Sequence, residues 1–325
     1  IFICSFVLGV LLMPLTMRIG RRLNILKPAK SGQGKPCIGG IGIYMAFIAA
    51  VLSSQFFIKL PANKLSALIL SSSIIILLGL IDDIKDLRPF LKISGELLGI
   101  LALLLFGFFT KIAFIPGWVN IFVTVIWLLF ITNAFNLLVI MDGLTSGLVI
   151  IISLSLLVIA FINKDIFSCV LLTGLIGAHA GFLRYNYPPA KLYMGDTGSL
   201  FSGFLLAAIA INISYAPMER KIALFTPILA MSLPIYDTLF LMFMRIKKKK
   251  PIFNKSRDHF ALRLVAAGFS LRKGLWIMYA FSIFLAISSI MIAFSPNMTG
   301  MVILAIVIMV FVVIGKKAGM VKIDD

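Results

Sequence analysis

Residues 65–87 read LSALILSSSIIILLGLIDDIKDL. An apolar run over 65–81 ends abruptly in two adjacent aspartates, Asp82 and Asp83. A helix needs about 20 apolar residues to cross roughly 30 Å of hydrocarbon. A carboxylate at the centre of such a helix costs ~2.5–3.5 kcal/mol on insertion scales. The stretch therefore reads as a membrane helix that leaves the hydrocarbon at its aspartates. What a carboxylate pair does at that position is the question it poses.

The same pattern recurs along the chain. Apolar runs near 1–17, 38–58, 65–81, 90–110, 118–137, 143–162, 166–185, 198–215, 222–244, 274–294 and 299–315 predict eleven spans. With 61% hydrophobic residues and a mean hydropathy of +1.10, a soluble globular domain is excluded. The expected fold is all-α: a polytopic membrane protein with about eleven transmembrane helices in one domain over 1–325. A basic loop over 245–273 is the longest polar segment. The chain opens at Ile1 inside an apolar run, so a few residues are expected to precede it. The first span is expected to serve as the insertion signal. Cys4, Cys37 and Cys169 have no paired spacing that would suggest disulfides or a metal knuckle.

The net charge of +18 follows topology. Placing the N-terminus outside puts 24 of the 30 basic residues in loops on the other side. The remaining six are Lys59, Lys64, Lys111, Lys164, Arg220 and Lys221. Lysine and arginine collect on the cytoplasmic side, so the expected orientation is N-terminus outside and C-terminus in the cytoplasm. A nucleic-acid partner is not expected, because the charge forms no aromatic-interleaved face. The polar residues of separate spans then converge on the cytoplasmic face, as a site at the membrane boundary requires.

Several stretches carry candidate chemistry. In IDDIKD, Asp82 and Asp83 can share a divalent ion, divide labour between metal and proton, or simply be a solvated helix end. In NAFNLLVIMDGLTSG, Asn133 and Asn136 lie one turn apart and can face one cavity, and Asp142-Gly143 breaks the run. Asp142 can equally be an N-cap. In RYNYPPAKLYMGDTGS, Asn186 precedes a proline pair, and Gly195 and Gly198 bracket Asp196. Thr197 and Ser199 can cap the following helix, whose N-terminus favours phosphate. In PIYDTL, Asp237 reads as a buried hydrogen-bonder, as does Glu96 in the fourth span. Lys92 can pair with Glu96 or reach a phosphate. His179 reads as a packed helix residue. In RDHFALRL, Arg257, His259 and Arg263 can line a phosphate pocket.

These motifs in this order resemble the polyprenyl-phosphate N-acetylhexosamine-1-phosphate transferases. The resemblance rests on GGIGIY, GLIDDIKDL, NAFN with MDGL, GFLRYNYPPAKLYMGDTGS, PIYDTL and RDHFALRL, and it covers nearly the whole chain. Span number and PIYDTL look closer to the UDP-GlcNAc:undecaprenyl-phosphate branch than to phospho-MurNAc-pentapeptide transferase. The resemblance implies transfer of a sugar-1-phosphate from a UDP-sugar to undecaprenyl phosphate, releasing UMP, with Mg²⁺ or Mn²⁺. It implies a metal role for Asp196, and for Asp82 and Asp83 the handling of the lipid phosphate, with one of them also helping to hold metal. Asn133, Asn136, Asp142 and Asn186 would form the polar pocket. Lys92, Arg257, His259 and Arg263 would meet phosphates or sugar, with His259 among the catalytic groups. It further implies a bacterial inner membrane, membrane lipid as a partner and a cytoplasmic-facing site; pairing as a homodimer is left open. Departures are Cys37 for arginine before the glycine pair, Val139 for an acidic residue, Ile140 for glycine, and Ala261 and Leu262 in the histidine cluster. The competing readings are phospho-MurNAc-pentapeptide transferase-like activity, a non-enzymatic lipid binder and a transporter. A transporter would predict inverted repeats and midplane charges, and no such repeat is visible.

Overall fold

The computed structural model describes residues 1–28, 34–215, 219–249 and 258–321. It is helical throughout apart from one two-stranded hairpin. The chain divides into two compact units, Ile1–Ser214 and Tyr215–Asp325.

The first unit opens with α1 (Phe2–Arg22), followed by the hairpin of β1 (Leu26–Lys27) and β2 (Lys35–Pro36), antiparallel with Leu26 opposite Pro36. Seven helices follow: α2 (Gly39–Ser54), α3 (Ala62–Lys85), α4 (Pro89–Leu105), α5 (Gly117–Leu137), α6 (Leu144–Ile162), α7 (Ile166–Asn186) and α8 (Gly195–Asn212). α8 is the centre of the unit. Every residue from Leu200 to Ala210 is buried, so the helix is enclosed on all sides by α2, α3, α5 and their neighbours. α1 packs on α7 and α2, α6 on α7, and α4 on α3. Small residues permit the tight crossings. A methyl group on Gly40 of α2 would run into the backbone of Gly198 in α8.

The second unit begins with a 3₁₀ turn (Lys221–Phe225) and contains α9 (Thr226–Ala230), α10 (Ser232–Lys247), α11 (Phe260–Ala266), α12 (Leu271–Phe294) and α13 (Asn297–Met320). The span expected over 222–244 is broken at Met231, where its two halves meet at 71°. Pro234 supplies the reason: it has no N–H to donate to the carbonyl one turn earlier, at Ala230, and its ring crowds that turn.

Seven described helices are long and apolar enough to cross a membrane, or eight if the broken pair counts as one span. Among the expected spans, α2, α4 and α8 are 16, 17 and 18 residues long, and α8 begins with the polar turn GDTGS. Outward faces are apolar, with Leu11 and Leu15 on α1 and Met309 and Val312 on α13 exposed. Hydrocarbon solvates such surfaces and water does not, so this is an all-α, multi-pass membrane protein.

Candidate active site

The ends of several helices meet at one end of the first unit. Asp82 and Asp83 lie in the last turn of α3, Lys92 in the first turn of α4, and Asp196 in the first turn of α8. Lys27 reaches in from β1. Its Nζ lies 2.9 Å from Asp83 Oδ1 and 3.1 Å from Asp196 Oδ2. Lys92 Nζ lies 2.8 Å from Asp82 Oδ2 and 3.5 Å from Asp196 Oδ1. Three carboxylates and two ammonium groups thus alternate in one chain, Asp83–Lys27–Asp196–Lys92–Asp82. Burial alone would lower the pKa of Lys27, but the charges of Asp83 and Asp196 outweigh it and raise it. Neighbouring Cys37 is buried, and burial together with the Asp83 charge pushes its thiol up to about 12.

The two adjacent aspartates do different work. Asp83 has a fully buried side chain. Its Oδ1 accepts the N–H of Asp196 at 2.9 Å; its Oδ2 accepts the N–H of Thr197 at 2.9 Å and the Thr197 hydroxyl at 2.7 Å. It is the N-terminal cap of α8, supplied by another helix. α8 has no side-chain cap of its own: Thr197 donates to Asp83, and Ser199 donates back to the Gly195 carbonyl at 3.1 Å. The N–H groups of Asp196 and Thr197 are therefore committed to a carboxylate and do not form the phosphate cradle that the sequence suggests. Gly195 makes the junction feasible. Its φ is +74°, and a methyl group there would overlap the Cys37 carbonyl and the Asp83 carboxylate. Asp82, by contrast, accepts the Leu87 N–H at 2.8 Å and holds Lys92.

The remaining sequence candidates separate into groups. Asn136 joins the cluster: it accepts from the Ser199 hydroxyl at 3.2 Å and lies close enough to Asp196 to favour that residue's charged form. Asn133, one turn earlier, instead donates to Glu96 at 2.5 Å and to the Leu129 carbonyl. Asp142 and Asn186 tie two loops together. Asn186 accepts the Gly143 N–H and donates to the Leu192 carbonyl, both at 2.9 Å, and Asp142 accepts the Ala190 N–H at 2.9 Å. His179 is fully buried against Ser202 at 3.0 Å, a packed helix residue as its sequence context indicates.

In the second unit, Asp237 of α10 is fully buried. It lies 2.7 Å from His259 Nδ1 and accepts the Phe260 N–H at 2.7 Å. The pairing assigns the proton of a neutral ring to Nδ1 and makes Nε2 the ring's acceptor nitrogen. Arg263 is spent inside the unit. Its Nη2 reaches Asp258 at 2.6 Å, and its Nη1 reaches the carbonyls of Ala318 and Val321 at 3.0 and 2.6 Å. Arg257 lies outside the described residues.

Lys27 and Asp237 carry no sequence-based site assignment. Their partners are far away in the chain, 56 and 169 residues for Lys27 and 22 for Asp237. The only local signal at Lys27 is its place among basic loop residues.

The donor set fits a hard divalent cation. Mg²⁺ is commonly held by one or two carboxylates, with substrate phosphates and water completing the shell. Among the described residues no group of three or more His, Cys, Asp or Glu is placed to hold an ion, so an arrangement of one or two carboxylates is the relevant one. Asp196 suits it. Its side chain is 22% exposed, against 6% for Asp82 and 0% for Asp83, and two ammonium groups already stand at its oxygens.

Comparison with known proteins bears on this site directly. The model of glycosyl transferase family 4 matches residues 65–214. A probable undecaprenyl-phosphate N-acetylglucosaminyl 1-phosphate transferase of Bacillus subtilis is 29% identical, over 99% of this chain and 92% of its own length. A decaprenyl-phosphate N-acetylglucosaminephosphotransferase of Mycobacterium leprae is 28% identical, over 84% of this chain and 77% of its own. A phospho-N-acetylmuramoyl-pentapeptide-transferase of Streptococcus pneumoniae is 30% identical, over 64% and 71%. The likeness thus runs further along the chain for the two N-acetylglucosamine enzymes. Identity of 30% across most of a known relative, and a family match spanning all three helices that carry Asp82, Asp83, Lys92 and Asp196, make this chain a member of glycosyl transferase family 4.

Proposed function

We propose that the protein transfers a sugar-1-phosphate, GlcNAc-1-phosphate by its relatives, from a UDP-sugar to undecaprenyl phosphate. The observation that carries this reading is the meeting of Asp82, Asp83 and Asp196 with two lysines at one end of a bundle of apolar helices. A lipid phosphate and a soluble nucleotide can both reach such a position. By the distribution of lysine and arginine, that end faces the cytoplasm, with the N-terminus outside. The apolar runs support about eleven crossings, and the bacterial relatives support an inner membrane. The product would begin cell-envelope glycan assembly.

In the reaction, an oxygen of the lipid phosphate bonds to the β-phosphorus of the UDP-sugar, and the bond to the UMP oxygen breaks. Phosphate monoesters lose their second proton near pH 6, so the acceptor is largely a dianion at neutral pH and the step places little demand on a base. What the site must supply is positioning and neutralisation of gathered negative charge. Mg²⁺ or Mn²⁺ bound at Asp196 would provide part of that neutralisation. Lys92, held by Asp82, presents an ammonium beside Asp196. Asp83 fixes the first turn of α8 and so fixes Asp196. Asn136 orients the Asp196 carboxylate. Asp142 and Asn186 brace the loops beside the cluster, where the nucleotide would lie. His259, oriented by Asp237, would present Nε2 to a phosphate or sugar oxygen.

Purified protein in detergent, given undecaprenyl phosphate, Mg²⁺ and a panel of UDP-sugars, tests this. UMP release and lipid-linked product should appear in equal amounts with UDP-GlcNAc, stop on chelation and return with Mg²⁺. Absence of turnover with every donor, in protein shown to be folded, would favour the lipid-binder reading. In the same assay Asp237→Asn should lower turnover about tenfold or more. It should also cost about 1–3 kcal/mol of stability, because the amide turns a donor toward either His259 or the Phe260 N–H. Unchanged turnover in that variant would remove His259 from the reaction.

A further inference from the structure

Lys27 stands where a cation would. Its ammonium bridges Asp83 and Asp196 at 2.9 and 3.1 Å, and Asp196 is the carboxylate best suited to a divalent ion. The two lysines of the cluster are not equivalent. The Lys92 side chain is 17% exposed and has Asp82 as its nearest partner. The Lys27 side chain is 44% exposed and rises from a hairpin whose backbone is secured on both sides. Ile25, Cys37 and Ile38 form a small buried cluster packed against Ile41, Leu80 and Tyr193. The Tyr193 N–H donates to the Pro36 carbonyl at 2.8 Å, and the Gly39 and Gly40 N–H groups donate to the carbonyls of Tyr193 and Met194. The main chain at Lys27 is thus anchored, while its side chain has solvent beside it and rotatable bonds along its length.

We propose that Lys27 is the resident counter-ion of this site. Its ammonium and a divalent cation alternate between Asp83 and Asp196, and the displaced ammonium, still tethered to the hairpin, turns onto the phosphate oxygens of the nucleotide sugar. The inference rests on Asp196 as the metal ligand. Its consequence is coupling. Without substrate, Lys27 competes with the cation. With the diphosphate present, the ammonium has a second anion to meet, and the cation gains phosphate ligands. Cation and nucleotide therefore bind together rather than in sequence.

The test is Mn²⁺ binding to the full chain in detergent, followed by electron paramagnetic resonance, with and without UDP-GlcNAc. Wild-type protein should bind Mn²⁺ at least tenfold more tightly when UDP-GlcNAc is present. Lys27→Met should bind Mn²⁺ alone at least tenfold more tightly than wild type and lose most of the gain from the nucleotide. Lys27→Arg, which keeps the charge, should stay near wild type. Lys92→Met should change Mn²⁺ binding less than Lys27→Met does. Lys27→Gln, which keeps a hydrogen-bond donor, provides a second neutral variant should the methionine form fold poorly. Equal or weaker Mn²⁺ binding in both neutral variants would overturn the proposal. The reading beneath it has its own control: Asp196→Asn should lose Mn²⁺ binding in either background, and wild-type affinity there would remove Asp196 as the ligand.

Discussion

Turnover in Asp196→Asn is expected to fall at least about a thousandfold, while the protein melts within a few degrees of wild type. A thousandfold loss corresponds to about 4 kcal/mol of transition-state stabilisation, within the range for removing a charge that positions a metal and phosphates. Stability should change little, because this carboxylate does not hold the fold. Asp83 caps α8, and Lys27 and Lys92 keep Asp83 and Asp82 as partners when Asp196 loses its charge. UMP release and thermal unfolding in detergent check both halves. Retention of more than a tenth of the wild-type rate would place the metal elsewhere.

Asp83→Ala is expected to damage fold and activity together. The substitution orphans the N–H groups of Asp196 and Thr197 and the Thr197 hydroxyl, and it takes from Lys27 one of its two carboxylate partners, leaving Asp196. A buried donor left without its acceptor costs about 1–3 kcal/mol. Several such losses amount to a large part of the 5–15 kcal/mol by which domains are typically stable. The variant should express poorly, melt well below wild type and show no turnover even in the cold. Asp83→Asn should recover part of the stability, since its amide oxygen still accepts, while its NH₂ group confronts a donor. An Asp83→Ala protein that melts like wild type yet is inactive would mean that Asp83 acts on substrate directly, rather than by holding the first turn of α8.

Much of the fold follows from composition, because apolar runs of membrane length leave a helix few alternatives to forming and inserting. The aspartate pair after the third run, Asp196 between its glycines, and Asn136 were legible as candidates for a related reason: polar groups at the ends of such runs lie where membrane and water meet, and the family resemblance gave them roles. Other features depend on distant partners. α8 begins at Gly195 rather than 198 because its cap comes from a helix more than a hundred residues earlier. Asn133 and Asn136 share a helix face by spacing, yet Asn133 meets Glu96 on α4 and leaves the cluster to Asn136. Pro234 stands in the ninth run, but its presence does not give the 71° angle at which the two halves meet.

The sequence by itself therefore determined the membrane class and most helices, since these follow from local hydrophobicity, and its resemblance to the family singled out the candidate carboxylates. Only the tertiary structure decided the division of labour: Asp83 as a cap, Asp82 as the holder of Lys92, Asp196 as the partly exposed carboxylate, and Lys27 as the bridge between two of them. Adjacent aspartates are chemically identical in sequence. What separates them is which donors the neighbouring helices bring within 3 Å of each, and that is a property of packing.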